Sequence, residues 1–151
     1  MSKSDAFELS LLKLIFSNTV LSNLGDSTGL RASVSAGALW ISLHTADPGE
    51  TGLQNTSEAT YTGYARVSVN RTQVAGGWAF STASPALAAN FSDIVFPTCT
   101  ASSNVITHFG IGTASTGAGY LLYSGSVSPS RTVTQNIAPT FLAGALIVEE
   151  D

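Results

Sequence analysis

A mainly β fold is predicted, a single antiparallel β-sandwich of jelly-roll type preceded by an N-terminal amphipathic α-helix, and three observations predict it. Short apolar segments separated by turn clusters fill the chain after Gly37. Serine, threonine and glycine number 21, 17 and 14 among 151 residues, and only 11% of residues are charged. That composition favours strands and turns over long solvated helices. The length fits one domain with a real core. A lone Cys99 excludes an intrachain disulfide framework or a multi-thiolate zinc site, so packing must hold the fold, with Cys99 as a small apolar filler.

The helix is predicted over residues 5–17. Asp5 followed by Glu8 forms a capping-box pattern, and Phe7, Leu11, Leu14 and Ile15 recur at helical spacing. Leu9, Leu12 and Phe16 place further apolar groups on a second face, which either packs within the domain or meets another chain. Residues 18–36 form a long polar connection anchored only by Leu21, Leu24, Leu30 and Val34, and loops of that length are usually functional or ordered by a neighbour. Residues 1–36 therefore read as a helix with an extended arm, and 37–151 as the sandwich. Phe7, Leu11, Leu12, Phe16, Leu21, Leu24 and Leu30 are the candidate protein-interface residues.

Eight strands are expected: 38–44, 65–71, 78–81, 94–96, 105–111, 120–127, 131–137 and 140–149. Alternation is visible in Leu39, Ile41 and Leu43, and again in Val67 and Val69. Asp47-Pro48-Gly49, Gly76-Gly77, Ser115-Thr116-Gly117 and Ser128-Pro129-Ser130 supply the turns.

Several function classes lose their parts on inspection. The six basic residues, at 3, 13, 31, 66, 71 and 131, are scattered and make no stripe for phosphates, so no nucleic-acid partner is expected. The first apolar run lacks the basic flank and length of a signal peptide or membrane span, so no membrane partner is expected either. His44 and His108 would need a converging carboxylate to act as metal ligands or acid–base groups, and Asp47 alone is near in sequence; the alternative is imidazoles at strand ends bonded to backbone or water. The stretch 110–119 has the glycine density of a phosphate loop, but it lacks the Lys-Ser/Thr ending and precedes a strand, which makes it a hairpin turn. There is no Gly-x-Ser-x-Gly elbow. No catalytic, cofactor-binding or metal residue is nominated, and no enzyme is expected. Glu149, Glu150 and Asp151 read as a solvated acidic tail or a contact for a basic surface. Tyr61, Tyr64, Trp78 and Phe80 are either exposed contact aromatics or core, and burial decides.

Phe7-Glu8, Leu11-Leu12 and 15–18, then the run Leu39 to Gly49 and Tyr64-Ala65-Arg66-Val67, together with Thr107-His108-Phe109-Gly110-Ile111, Leu121-Leu122-Tyr123-Ser124-Gly125 and the closing 141–148, resemble a family of small tailed-bacteriophage virion proteins. The resemblance covers nearly the whole chain. Members are commonly labelled tail fibre proteins, and small jelly-roll-like proteins of this size also serve as cement on phage heads. The resemblance implies a non-enzymatic virion protein, assembled in the host cytoplasm and needing no cofactor. Its first expected role is a capsid decoration protein bound to the major capsid protein lattice and other virion proteins as a homo-oligomer. The alternative is a tail fibre or baseplate component contacting a host receptor, where a host glycan becomes a partner.

Overall fold

The computed structural model describes residues 3–83 and 85–150. One helix and nine strands follow in the order α1 (Asp5–Ser17), β1 (Ala38–His44), β2 (Val67–Asn70), β3 (Trp78–Ser81), β4 (Ala86–Asn90), β5 (Ile94–Val95), β6 (Asn104–Gly112), β7 (Leu121–Val133), β8 (Thr140–Phe141) and β9 (Ile147–Glu150). The strands form a four-stranded sheet in the order β2-β1-β6-β7, a three-stranded sheet β3-β4-β9 and the pair β5-β8. The pairings β1–β6, β6–β7, β3–β4 and β4–β9 are all antiparallel. The fold class expected from the sequence, mainly β and antiparallel with an N-terminal helix, is the one observed.

The chain falls into two compact units, each discontinuous in sequence. The first gathers the chain up to Ala38, Val69–Ile94 and the chain from Phe141 on; the second gathers Leu39–Ser68 and Val95–Thr140.

In the first unit α1 packs on β3, β4 and β9. The helix has the expected bounds, but Ser4 rather than Asp5 is the N-cap and makes no side-chain cap bond; its carbonyl accepts from the amides of Phe7 and Glu8 at 2.8 and 3.0 Å. Asn18 ends the helix in the left-handed conformation, one that asparagine tolerates better than most residues. The buried seam is Glu8, Leu12 and Phe16, so the expected face is corrected: Phe7 is exposed, and Leu11, Leu14 and Ile15 are only half-covered. Leu12 and Phe16, both wholly enclosed, each contribute on the order of 2–3 kcal/mol of apolar burial. Phe16 meets Trp78 edge-on with ring centroids 4.5 Å apart. Trp78 lies opposite Asn90, and Phe80 opposite Ala88, which itself lies opposite Val148. The strand β4, Ala-Leu-Ala-Ala-Asn, was not expected. Alanine is a weak strand former, but a strand of small residues gives a helix a close seat.

In the second unit the core comprises Leu39, Ile41, Leu43, Tyr61, Phe96, Cys99, Ile106, Ile111 and Val133, all buried. The predicted segments 120–127 and 131–137 are one strand, β7, rather than two. It carries a cis Ser128–Pro129 bond, and its register with β6 jumps from His108↔Ser126 to Ile106↔Arg131. The intervening residues 127–130 bulge out, so the turn signal is spent within the strand. Conversely, the predicted 140–149 strand is split into β8 and β9. Its acidic residues Glu149 and Glu150 lie in β9, with Glu150 3.1 Å from Lys3, so they are strand residues and not a tail. Asp151 lies outside the described residues.

Candidate interaction surface

Two arginines organise the surfaces that could meet a partner. In the second unit, Arg66 is buried and forms a two-point pair with Glu58, Nε to Oε1 at 2.6 Å and Nη2 to Oε2 at 2.7 Å. The same guanidinium donates to the carbonyls of Ala114 and Gly117 at 2.8 and 2.7 Å. Its pKa is raised, first by the hydrogen bond it donates to the Glu58 carboxylate. Tyr64 donates to Glu58 Oε1 at 2.9 Å and accepts from the Leu43 amide at 3.1 Å; burial pushes its hydroxyl pKa far up. Gln54, fully buried, donates to the Trp40 carbonyl at 2.8 Å and accepts from the Ala114 amide at 3.3 Å. Together these bonds hold the 113–120 hairpin loop, whose tip is exposed and whose base is closed by Thr113 and Tyr120, the latter 74% exposed. A loop fixed by charge-assisted bonds presents its side chains without first being ordered, which lowers the entropic cost of contact.

The histidines are structural in their bonding. His44 is buried, with Nδ1 2.8 Å from the Thr56 carbonyl and Nε2 2.8 Å from Ser42 Oγ. A carbonyl only accepts, so the proton sits on Nδ1 and Ser42 donates to Nε2. Burial lowers the His44 pKa, against the opposing hydrogen bond to Thr56. A Ser-His contact alone would resemble a nucleophile with its base, yet both side chains are enclosed. Gly110 closes the site: a Cβ there would lie 2.7 Å from both Ser42 Oγ and His44 Nε2. His108, facing His44 across the ladder, is within β6 rather than at a strand end and lies 2.9 Å from Thr107 Oγ1. Asp47 is exposed, and its Oδ1 accepts from the Gly49 amide. Among the described residues no group of three or more His, Cys, Asp or Glu side chains could hold a metal ion, and no helix is long and apolar enough to cross a membrane.

In the first unit, Arg71 closes the end of α1. Its guanidinium donates to the carbonyls of Ile15 and Leu14, each at 2.5 Å, and of Ala36 at 3.1 Å. Helix ends leave carbonyls without intrahelical partners, and α1 has no basic residue in its last turn. The arm 18–36 is stapled rather than extended. Leu21 and Leu30 bridge, Asn18 exchanges two 2.9 Å bonds with Ser33, and Asp26 accepts from Thr28 and Gly29, which lowers its pKa. Of the candidate interface residues, Leu12, Phe16 and Leu21 are enclosed in their own unit and offer nothing to a partner. Phe7, Leu24 and Leu30 are 37%, 44% and 46% exposed, and Leu11 is half-buried.

The aromatics divide as burial dictates. Tyr61 is buried and donates to the Pro97 carbonyl at 3.0 Å, and burial pushes its pKa up to about 12. Tyr64 packs between Tyr61 and Phe96. Tyr61 is enclosed and Tyr64 is half-buried with its hydroxyl engaged, so neither is the exposed contact aromatic that their position beside Gly63 suggested; among the described aromatics Tyr120 is the most exposed. Sequence reasoning missed Tyr120, Arg66 and Arg71. The signal for the arginines was composition, because two of only six basic residues flank β2, Arg66 just before Val67 and Arg71 just after Asn70.

The family model described as Podophage GP4 fiber I protein gp80 matches residues 15–149. The chain belongs to this family. The gp80 fibre family places it among phage fibre structural proteins, hence among virion-associated proteins, and favours the fibre alternative over capsid decoration. No curated protein matches the chain.

Proposed function

We propose that this member of the gp80 fibre family is a non-enzymatic structural component of a podophage tail fibre, assembled in the host cytoplasm and contacting a host surface receptor. The observation that carries the reading is the family match across residues 15–149. The geometry supports it in two ways. The Ser42 and His44 pair is enclosed, and the 113–120 loop exposes Tyr120 together with the hydroxyl-bearing Thr113, Ser115 and Thr116. An exposed tyrosine on a loop that also exposes hydroxyls suits a host glycan, which stacks on the ring and hydrogen-bonds to such groups.

The deciding experiment is stoichiometry in purified virions, with the chain quantified against the major capsid protein by calibrated mass spectrometry and its position marked by labelled antibody in electron micrographs. A small copy number with label on the tail is expected. Copies in fixed ratio to the capsid protein, with label over the head, overturn the reading and make the chain a capsid decoration protein.

A further inference from the structure

We propose that the Ser42 hydroxyl is a proton switch in the core of the second unit: it donates to Nε2 of neutral His44, and turns to donate to the Gly110 carbonyl when a proton from solvent occupies that nitrogen. The unit then charges its buried histidine without opening. The geometry rests on one oxygen. Ser42 Oγ lies 2.8 Å from His44 Nε2 and 3.3 Å from the Gly110 carbonyl oxygen, and a hydroxyl has one proton to give and lone pairs to accept with. The shorter contact takes the proton while Nε2 is bare. The longer one takes it once Nε2 carries a proton of its own.

Both states satisfy both ring nitrogens. In the neutral state Nδ1 donates to the Thr56 carbonyl at 2.8 Å and Nε2 accepts from Ser42. In the charged state both nitrogens donate, Nδ1 still to Thr56 and Nε2 to Ser42 Oγ, while the hydroxyl proton turns to Gly110. One bond is gained, and two become charge-assisted. Ser42 and His44 are two apart on β1 and so share a face, and Gly110 is the register partner of Ser42 in β6. Glycine is required at 110, because a Cβ there would lie 2.7 Å from both Ser42 Oγ and His44 Nε2 and push the hydroxyl from between its two partners.

The groups around the imidazole leave room for the added charge. Glu58, which bridges to His44, favours the charged form; Arg66, bound to Glu58, and His108, opposite His44 in β6, oppose it. Glu58 and Arg66 are a close pair, so their influences on His44 largely offset each other, and burial is what holds the imidazole neutral near pH 7. Tyr64 adds no charge, since its hydroxyl donates to Glu58. The switch limits the cost of burial by giving the charged form a full set of bonds, where an imidazolium N–H without an acceptor would add the penalty of an unpaired buried donor. It rests on the fold alone and holds for a tail or a head protein alike.

The test is a pH titration of the His44 imidazole in the full chain by nuclear magnetic resonance, in the wild type and in Ser42→Ala, with His108→Gln identifying the signal of the other histidine. Neutral wild-type His44 should be the Nδ1-protonated tautomer. It should charge while the amides of Thr45 and Ala59, whose bonds to the Ser57 and Leu43 carbonyls bracket the His44 bridge, keep their protection after allowance for the intrinsic pH dependence of exchange. Ser42→Ala takes more from the charged form than from the neutral one, so the His44 midpoint should fall by about one pH unit. A hydroxyl that served the neutral form only would give the opposite sign, because its removal raises the midpoint. A midpoint raised or unmoved in Ser42→Ala therefore overturns the proposal. So does the other neutral tautomer in the wild type, or protection at Thr45 and Ala59 that collapses as His44 charges. Should Ser42→Ala not fold, the wild-type tautomer and protection decide alone.

Discussion

The arginines at 66 and 71 do comparable jobs by different physics. Arg66 meets a carboxylate and two loop carbonyls, and Glu58 raises its pKa. Arg71 meets three carbonyls, and burial lowers its pKa. A full ion pair commits two charges to one geometry, so removing either member strands the other. A cation on carbonyl dipoles strands only neutral groups when removed. The 113–120 loop is therefore the more brittle of the two assemblies, and the arm behind α1 the more tolerant.

The largest expected effect follows from that contrast. Glu58→Ala leaves the enclosed Arg66 without its counter-ion and should cost about 3 kcal/mol, read as a lower urea midpoint with unchanged slope. The double variant Glu58→Leu, Arg66→Met should recover much of the loss. A double variant no better than the single would show that the loop bonds, not the stranded charge, dominate.

Next comes Arg71→Met, which frees the carbonyls of Leu14, Ile15 and Ala36. It should cost about 2 kcal/mol, with faster amide exchange concentrated at the end of α1. A loss greater than that of Glu58→Ala would reverse the ranking of the two arginines.

A smaller effect is expected from pH. Burial lowers the His44 pKa below its ordinary 6.5, so the unfolded chain takes up that proton first. The His44 contribution is complete above 6.5 and is lost as pH falls through the lowered folded-state value, below which it levels off. Comparing the stability of the wild type with His44→Gln across that interval checks the sign, and the variant should show the shallower decline. A steeper decline in the variant would mean that His44 is charged in the fold. The smallest stability effect belongs to Tyr120→Ala, within about 0.5 kcal/mol of wild type, while adsorption of virions to host cells should drop. Unchanged adsorption removes Tyr120 from the receptor contact.

Local pattern made part of this fold legible. Strands β1 and β3 stand at their expected bounds because alternation and turn residues agree there, and the span of α1 follows from its apolar spacing. The face of α1 was read the wrong way round, since periodicity reports an apolar stripe without saying which side the sheet takes; Glu8 joining Leu12 and Phe16 on the covered seam is a tertiary outcome. β4 escaped notice because three alanines carry no strand signal. Both arginine assemblies join residues far apart in sequence, such as Arg66 with Gly117, and single-residue patterns carry no information about such pairs. The hairpin nature of 110–119 was legible because a strand, not a helix, follows the glycines.

The seat of α1 has a consequence for how the protein is made. The helix is complete at Ser17, yet its platform includes β9, which begins at Ile147. During synthesis Leu12 and Phe16 therefore wait, exposed and apolar, until β3 and β4 at residues 78–90 have left the ribosome, and their seat is complete only with β9. Contacts so distant in sequence close slowly, and an apolar segment left uncovered meanwhile is open to holdase chaperones or to aggregation. Yield of soluble protein should thus depend on translation speed and chaperone supply more than on the stability of the finished fold.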